Sequence, residues 1–148
     1  MDNYSVKQIL KQNIFIIIPL LKVLNTQTPN KLLKERLLEM TSQNYECIGL
    51  FDNKKLIGIC GLWFSTRHYI GKTAEVDHVI INNKYRNKGL GQFFFEWIYK
   101  YLKDKDCDAT ELNTFTGNRK SHKFYYNEGY EIYGFHMLKV LRSDGEFY

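Results

Sequence analysis

The chain has 148 residues, a formal net charge of +5 and an isoelectric point near 9.0. Hydrophobic residues make up 44% and aromatic residues 16%, with 10 glycines and 2 prolines, so collagen-like, low-complexity and disordered classes are excluded. A chain of this length can bury about two thirds of the surface that it exposes when unfolded. We therefore expect one domain over residues 1–148, built around one core.

The positive charge is spread along the chain, and basic and acidic residues alternate over residues 103–106. The sequence therefore has no basic tail of the kind that grips nucleic acid, and we expect no nucleic-acid partner. The charge suits an anionic ligand, although charge alone does not choose that ligand.

Two features bear on the cell compartment. Cys47, Cys60 and Cys107 are odd in number and widely spaced, which argues against a disulfide framework and for a reducing compartment. The apolar run over residues 14–24 is interrupted by a proline and a lysine, and it is shorter than the roughly 20 residues of a membrane span. It also lacks the small-residue cleavage site of a signal peptide. We expect a cytoplasmic protein without a membrane partner.

The hydrophobic pattern of the first half predicts a strand, two helices and a three-stranded antiparallel meander. Asn30 is the expected N-cap of the second helix, and Asp52-Asn53-Lys54 is the expected turn of a hairpin. The predicted elements are a strand at residues 5–10, helices at 14–24 and 30–41, and strands at 45–51, 55–64 and 72–81.

The second half begins with the clearest helix, at residues 89–102, where apolar side chains recur at i, i+3 and i+4. A strand at residues 109–114 and a helix at 118–127 follow, and Gly129 ends that helix. Two last strands are predicted at residues 130–134 and 136–141. The expected fold is a single α/β domain with a mixed, mostly antiparallel sheet of about seven strands flanked by about four helices.

The most informative segment is a basic, glycine-bearing loop between an apolar strand and the clearest helix. It consists of Arg86, Asn87, Lys88, Gly89, Leu90 and Gly91. The first amides of a helix have no partner inside it and the helix dipole adds partial positive charge, so a diphosphate can bind there. The glycines allow close approach of the backbone, and the two cations add formal charge. A simple hinge with solvated cations is the alternative.

Two ordered motifs resemble the GCN5-related N-acetyltransferase (GNAT) superfamily. Residues 86–91 match Arg/Gln-x-x-Gly-x-Gly/Ala, the acetyl-CoA pyrophosphate loop that this superfamily carries after its fourth strand. Residues 118–130 match its second signature, an Asn followed by a Phe-Tyr helix that ends in Gly-Phe/Tyr. The predicted element order is also similar across nearly the whole chain. Residues 111–114 and 128–131 look most like small-molecule amine acetyltransferases, including aminoalkylphosphonate acetyltransferases.

The resemblance implies that acetyl-CoA is the cosubstrate, with direct transfer to a primary amine of a small molecule or peptide in a ternary complex. It implies that the strand ending at Val79, Ile80 and Ile81 splays from the next parallel strand, and that its backbone pairs with the pantetheine arm. The Val79 amide would hold the thioester oxygen. Asn118 and Ser121 match positions that contact CoA, and they could equally cap and line their helix.

The resemblance also assigns the proton transfers. Tyr125 matches the tyrosine that protonates the departing thiolate, and a phenol with pKa about 10 keeps its proton at neutral pH. Glu75 is our choice of base, because several members place a catalytic glutamate four residues before Val79. Strand alternation puts Asp77 on the same face, and a bulge would bring in His78. A water is a further alternative.

Other functions remain open at this point. An acyl-CoA-binding sensor without catalysis would keep the basic loop but need neither Glu75 nor Tyr125. The four histidines show no metal-ligand spacing, so we expect no metal. In this family the last strands often pair across a dimer, which allows a homodimer. The loop that carries Arg67, His68 and Tyr69 is a candidate to line the acceptor pocket.

Overall fold

The computed structural model describes residues 2–148. The chain falls into two compact units, the first ending at Leu112 and the second covering Asn113–Tyr148. Over the described range, the first unit holds a five-stranded sheet and three α-helices, and the second holds one α-helix. The α/β class predicted from the sequence is confirmed. No helix within residues 2–148 is both long enough and apolar enough to cross a membrane.

The sheet has the strand order β1-β2-β3-β4-β5. Its strands are β1 (Tyr4–Ile9), β2 (Tyr45–Asp52), β3 (Lys55–Arg67), β4 (Gly71–Ile81) and β5 (Ala109–Leu112). The first four are antiparallel neighbours, so the predicted meander is confirmed, whereas β5 runs parallel to β4. The predicted hairpin turn also forms, with Asn53 in the left-handed region at φ 52°.

The α-helices are α1 (Ile18–Leu24), α2 (Asn30–Thr41), α3 (Leu90–Asp104) and α4 (Arg119–Asn127). Only the second half of the helix predicted over residues 14–24 is α-helical, because Lys11–Ile17 forms a 3₁₀ helix and α1 begins afresh at Ile18. Pro19 explains the break, since a proline has no N–H to donate and fits only the first turn of an α-helix. Asn30 is the first residue of α2, and Pro29 takes the N-cap position.

The helices cover both faces of the sheet. On one face, α1 and α2 bury a cluster that includes Leu37, Tyr45 and Ile59. On the opposite face lies α3, whose Tyr101 hydroxyl donates to the Glu46 carboxylate at 2.6 Å. Glu46 follows Tyr45, and side chains alternate along a strand, so these two residues point to different faces. We call the first of these the α1–α2 face.

The two last strands predicted from the sequence, at residues 130–134 and 136–141, are not formed, and five strands replace the expected seven or so. Side chains do alternate in character along this segment, but the side chains on neither face of the predicted strands are buried. Ile132, Tyr133 and Phe135 are 75%, 94% and 96% exposed. A strand is stabilised by a neighbour and a covered face, and without them the pattern alone does not produce one.

Candidate functional site

Strand β4 continues past the end of β5. The parallel register pairs residues 73–76 with residues 109–112 and stops there. Within the described chain, residues 77–81 of β4 therefore have no partner on β5. A strand edge without a neighbour presents backbone N–H and C=O groups that an extended ligand can use. This free edge is the first element of the candidate site.

The same stretch of β4 is kinked. Its register with β3 pairs Asp77 with Gly61 and Ile80 with Ile59, so His78 and Val79 together stand opposite a single residue of β3. His78 has φ 34°, a left-handed conformation that is uncommon for a residue other than glycine. One extra residue in one strand, with such a backbone, is a β-bulge. A bulge is the condition under which the sequence predicts that His78 enters the site.

The bulge turns the His78 side chain toward the α1–α2 face. A Cβ built on Gly61 would lie 2.2 Å from the His78 Nε2, so the imidazole occupies the space on that side of β3. Gly61 pairs with Asp77, and Trp63 pairs with Glu75. Residues paired across antiparallel strands share a face, so Glu75, Asp77 and His78 all lie on the α1–α2 face. The expectation that Glu75 and Asp77 share a face is confirmed.

Hydrogen bonds tie these side chains to their neighbours. The Tyr45 hydroxyl and the His78 Nε2 are 2.5 Å apart and share a hydrogen bond. The Trp63 Nε1–H donates to one oxygen of Asp77 at 3.1 Å, and the His78 backbone N–H donates to the other at 2.8 Å. The His78 Nδ1 is buried and has no hydrogen-bond partner among the described residues. The kink is therefore surrounded by a polar cluster, which we call the kink cluster: Tyr45, Gly61, Trp63, Asp77 and His78.

Burial changes the ionisation of two members of this cluster. Desolvation raises the pKa of Tyr45 far above its usual value, with Cys47 and Asp77 adding to the effect, so the phenol stays protonated. Desolvation also lowers the pKa of His78 below 6.5, and the nearby Asp77 carboxylate opposes this only in part. The imidazole is therefore neutral at physiological pH. A protonated phenol beside a neutral imidazole makes a stable donor–acceptor pair.

The basic loop follows β4 and leads into α3. A short 3₁₀ turn, Asn83–Tyr85, begins it, and the Asn82 side chain accepts the Lys84 N–H at 3.0 Å. Asn87 and Gly89 both adopt left-handed backbones, at φ 60° and 72°. Two left-handed residues so close together turn the chain sharply into the first residue of α3. The hinge role of Gly89 that the sequence left open is therefore real.

The start of α3 is free of competing groups. Gly89 is its N-cap and supplies no side-chain hydrogen bond, and the first turn holds no acidic residue. The amides of Leu90 and Gly91 thus begin a helix of 15 residues without a side chain of their own to satisfy them. Arg86 and Lys88 are exposed beside this turn. The local geometry is that of an anion-binding helix N-terminus.

The two cations of the loop are held differently. The Arg86 Nε–H donates to the Ile81 carbonyl at 3.2 Å, which ties the arginine to the end of β4. The Lys88 ammonium lies 5.4 Å from the ring centre of Tyr85, whose hydroxyl donates to Asp52 at 3.0 Å. Cation–π contact and backbone bonding restrict these long side chains to the neighbourhood of the helix start.

The remaining predicted site residues lie in the second unit, on and around α4. Asn118 is the N-cap of α4, and its side chain accepts the Ser121 N–H at 3.4 Å. The capping role that the sequence offers as an alternative is thus real for Asn118, and Ser121 takes part through its backbone N–H. The Tyr125 ring is half-buried, with Phe124 and Tyr130 edge-on at centroid distances of 5.5 and 5.7 Å. Tyr126, its neighbour, is 55% exposed.

Sequence reasoning missed part of the kink cluster. Tyr45, Gly61 and Trp63 were assigned only to strands, although all three contact the residues named as candidate bases. No motif marks them, and only the spacing of Gly58 and Gly61 within one strand hinted at a close approach. Among residues 2–148, no group of three or more His, Cys, Asp or Glu side chains could hold a metal ion.

Comparison with known proteins adds independent findings. The family model described as "Acetyltransferase (GNAT) family" matches residues 18–130. An aminoalkylphosphonate N-acetyltransferase of Salmonella typhimurium strain LT2 is 24% identical over 90 residues. That match covers 60% of this chain and 58% of the relative, so less than two thirds of the relative's length is spanned.

Solved structures of low sequence identity share the fold. The aminoglycoside acetyltransferase meta-AAC0020, from an uncultured soil metagenomic sample, matches with a TM-score of 0.80 at 14% identity, over 95% of this chain and 98% of that one. AAC(6')-Iy in complex with a CoA bisubstrate analog gives 0.80 at 14% identity, over 94% and 98%. A possible acetyltransferase from Clostridium difficile 630 gives 0.79 at 15% identity, over 94% and 99%.

Proposed function

We propose that this chain, which belongs to the acetyltransferase (GNAT) family, transfers an acetyl group from acetyl-CoA to a primary amine of a small molecule or peptide. One observation carries the proposal: the uncapped start of α3 directly follows a strand whose last residues have a free, kinked edge. The first element suits a diphosphate and the second suits the amide-bearing arm of CoA.

The basic loop would hold the diphosphate. The amides at Gly89, Leu90 and Gly91 would donate to its oxygens, and Arg86 and Lys88 would neutralise its charge. Asn87 contributes through its left-handed backbone, which helps to turn the chain toward the helix start. Asn118 and Ser121 remain proposed CoA contacts. Their mutual hydrogen bond closes the N-terminus of α4 and does not by itself require a ligand.

The edge of β4 would orient the thioester. Backbone groups of Val79 and Ile81 would pair with the pantetheine amides, and the Val79 N–H would stabilise the oxyanion that forms on the carbonyl. Ile80 would take part through its backbone only, since its side chain is buried in the core at 4% exposure. A bulge at this point supports such a role, because it interrupts the regular pairing with β3.

Two side chains would move protons. Glu75, half-buried on the α1–α2 face, would accept a proton from the amine as its nitrogen bonds to the carbonyl carbon. The carbon–sulfur bond then breaks, and the Tyr125 hydroxyl would protonate the departing thiolate, giving CoA thiol and an amide. Asp77, His78 and a water are the alternatives for the base, and the two Asp77 oxygens accept from the Trp63 indole and the His78 backbone N–H.

The relatives support a small-molecule acceptor. One is named for aminoalkylphosphonates and one of the similar structures for aminoglycosides, and both compound classes carry primary amines. We propose that the acceptor is a small molecule with a primary amine, as in these compound classes. The proposed location is the cytoplasm, which suits the free thiols of Cys47, Cys60 and Cys107.

The test combines binding and turnover. Calorimetry with CoA and acetyl-CoA measures binding, and release of free thiol in the presence of an amine panel measures transfer. The proposal expects both binding and amine-dependent thiol release. Tight binding with no accepted amine across aminoglycosides, aminoalkylphosphonates, polyamines and peptides would favour a sensor that binds acyl-CoA without chemistry. Absence of binding to the folded protein would refute both functions.

A further inference from the structure

We infer that His78 is a positioning residue: clamped between Gly61 and Tyr45, it holds the bulge of β4 that presents the Val79 N–H at the free edge. The inference rests on the proposed function, because acetyl transfer supplies its kinetic readout. It adds three residues, Tyr45, Gly61 and His78, to the machinery without giving any of them direct contact with the reacting atoms.

The bulge needs something to hold it. A left-handed backbone at a residue other than glycine is strained and persists only where the surroundings over-determine it. His78, at φ 34°, is such a residue in the middle of a strand. If β4 relaxed into regular pairing, every side chain beyond Asp77 would change face, including the buried Ile80.

The imidazole provides the first restraint. Its Nε2 lies 2.2 Å from the position of a Cβ on Gly61, so the ring occupies space that any other residue at position 61 would fill. The contact is specific to the bulged backbone, since regular alternation would send the His78 side chain to the opposite face. Position 61 must therefore be a glycine to leave space for the ring. The backbone does not require glycine there, because the φ of Gly61 is not in the left-handed region.

Two hydrogen bonds provide the second restraint. The Tyr45 hydroxyl binds the Nε2, which fixes the ring from the neighbouring strand β2. The Asp77 carboxylate binds the His78 backbone N–H and is itself held by the Trp63 indole. Both the ring and the backbone of His78 are thus held, and the orientation of the next amide, that of Val79, follows from them.

The basic loop is held by hydrogen bonds other than those of the clamp. The Lys84 N–H donates to Asn82, and Arg86 donates to the Ile81 carbonyl. Loss of the clamp should therefore lower the rate of the chemical step more than the affinity for CoA, because the diphosphate would still bind at the loop. This separation distinguishes a positioning role from a general loss of structure.

The experiment is a double-mutant cycle with Gly61→Ala, His78→Ala and the double variant, assayed for kcat, KM and the Kd of CoA. Gly134→Ala is the matched control, because no atom lies within 4 Å of a Cβ at that glycine. Gly61→Ala and His78→Ala should each lower kcat about tenfold or more, as loss of oriented oxyanion stabilisation does. The Kd of CoA should rise by a smaller factor than kcat falls.

The cycle must also show coupling. In the His78→Ala background the added methyl group meets no ring, so Gly61→Ala should change kcat less than twofold there. Tyr45→Phe should lower kcat in the same direction, and His78→Gln, which can still accept from Tyr45, should restore part of the loss seen in His78→Ala. Equal effects of Gly61→Ala in both backgrounds, or a His78→Ala enzyme with unchanged kcat, would overturn the inference.

A second measurement separates failure of the inference from failure of the proposed function. Nuclear magnetic resonance of the protein without ligand follows the Val79 amide and the His78 ring nitrogens. The clamp predicts that Tyr45→Phe shifts the Val79 amide and speeds its hydrogen exchange, while amides of α3 stay unchanged. If the wild type has no transferase activity but Tyr45→Phe causes these shifts, acetyl transfer is refuted and the clamp is supported. If the wild type is active but Tyr45→Phe leaves the Val79 amide unchanged, the clamp is refuted and acetyl transfer is supported.

Discussion

Glu111 of β5 stands opposite Glu75 of β4 in the parallel register. The two carboxylates therefore share the α1–α2 face, and Arg67 provides a cation there, since its Nε–H donates to Glu111 at 3.4 Å. The charge of Arg67 is thus already engaged by Glu111. The sequence makes Arg67 a candidate to line the acceptor pocket, and this ion pair makes its charge less available to an acceptor.

The pair offers a matched test of the proposed base. Glu75→Gln should lower kcat about 100-fold, because loss of a general base commonly removes a factor of 10² to 10⁴. Glu111→Gln removes the same charge from the same face and should change kcat less than fivefold or so. Steady-state kinetics on both variants gives the comparison. The opposite order, or equal losses, would remove Glu75 from the role of base.

Tyr125→Phe should lower kcat about 100-fold, because the thiolate then leaves without a proton donor. The Kd of CoA, measured by calorimetry, should change little, since only a hydroxyl is lost. Tyr126→Phe is the control: the two tyrosines are adjacent, and Tyr126 is more than half exposed. Unchanged turnover in Tyr125→Phe would show that water or another group protonates the thiolate.

Arg86→Ala should weaken acetyl-CoA binding about tenfold or more, because a charge-assisted hydrogen bond is worth roughly 1.5–3 kcal/mol. The loss should shrink as the salt concentration rises, since screening weakens the wild-type interaction. Arg142→Ala removes the same charge from a residue that pairs with Asp144, and should leave the Kd unchanged. Equal effects of both substitutions would indicate only a general electrostatic attraction.

The His78 imidazole, whose Nδ1 is buried, makes the stability of the fold depend on pH. Its pKa is lowered in the folded protein, so the unfolded chain binds more protons below about pH 6.5. The contribution of the neutral imidazole is complete above pH 6.5 and is lost as the pH falls from that value toward the lower pKa of the folded state. His78→Gln cannot titrate, so its urea midpoint should fall less than that of the wild type between pH 7.5 and 5.5.

Neighbouring groups do not reverse this sign. Asp77 favours the protonated ring but is outweighed by desolvation, and Tyr45, Cys47 and Cys60 all have raised pKa values and carry no charge in this range. If the urea midpoints of the wild type and of His78→Gln fell equally between pH 7.5 and 5.5, the imidazole would be protonated as easily in the folded protein as in water.

Packing on the α1–α2 face can be tested with two adjacent leucines. Leu37 is fully buried, whereas Leu38 is 49% exposed. Leu37→Ala should reduce the free energy of unfolding by about 2–5 kcal/mol, through lost burial and the cavity left behind. Leu38→Ala should cost under about 1 kcal/mol. Urea denaturation measures both, and similar losses would contradict the arrangement of α2 on the sheet.

The order and kind of most elements, and the position of the basic loop, could be predicted from the sequence. These are local properties: apolar spacing predicts α3, turn chemistry at Asn53 predicts the first hairpin, and the glycines of residues 86–91 predict close approach of the backbone to a ligand at a helix start. Such signals arise within a few residues of one another, so no knowledge of distant neighbours is needed.

The position of the bulge in the pairing of β3 with β4, and the absence of the last two predicted strands, depend on contacts between segments distant in sequence. The bulge at His78 depends on an extra residue relative to β3, and the space for its ring depends on Gly61, 17 positions earlier in the chain. The alternating pattern of residues 130–141 likewise forms no strand without a covering neighbour. Pairing register and burial are properties of contacts between distant segments, which periodicity along one segment does not encode.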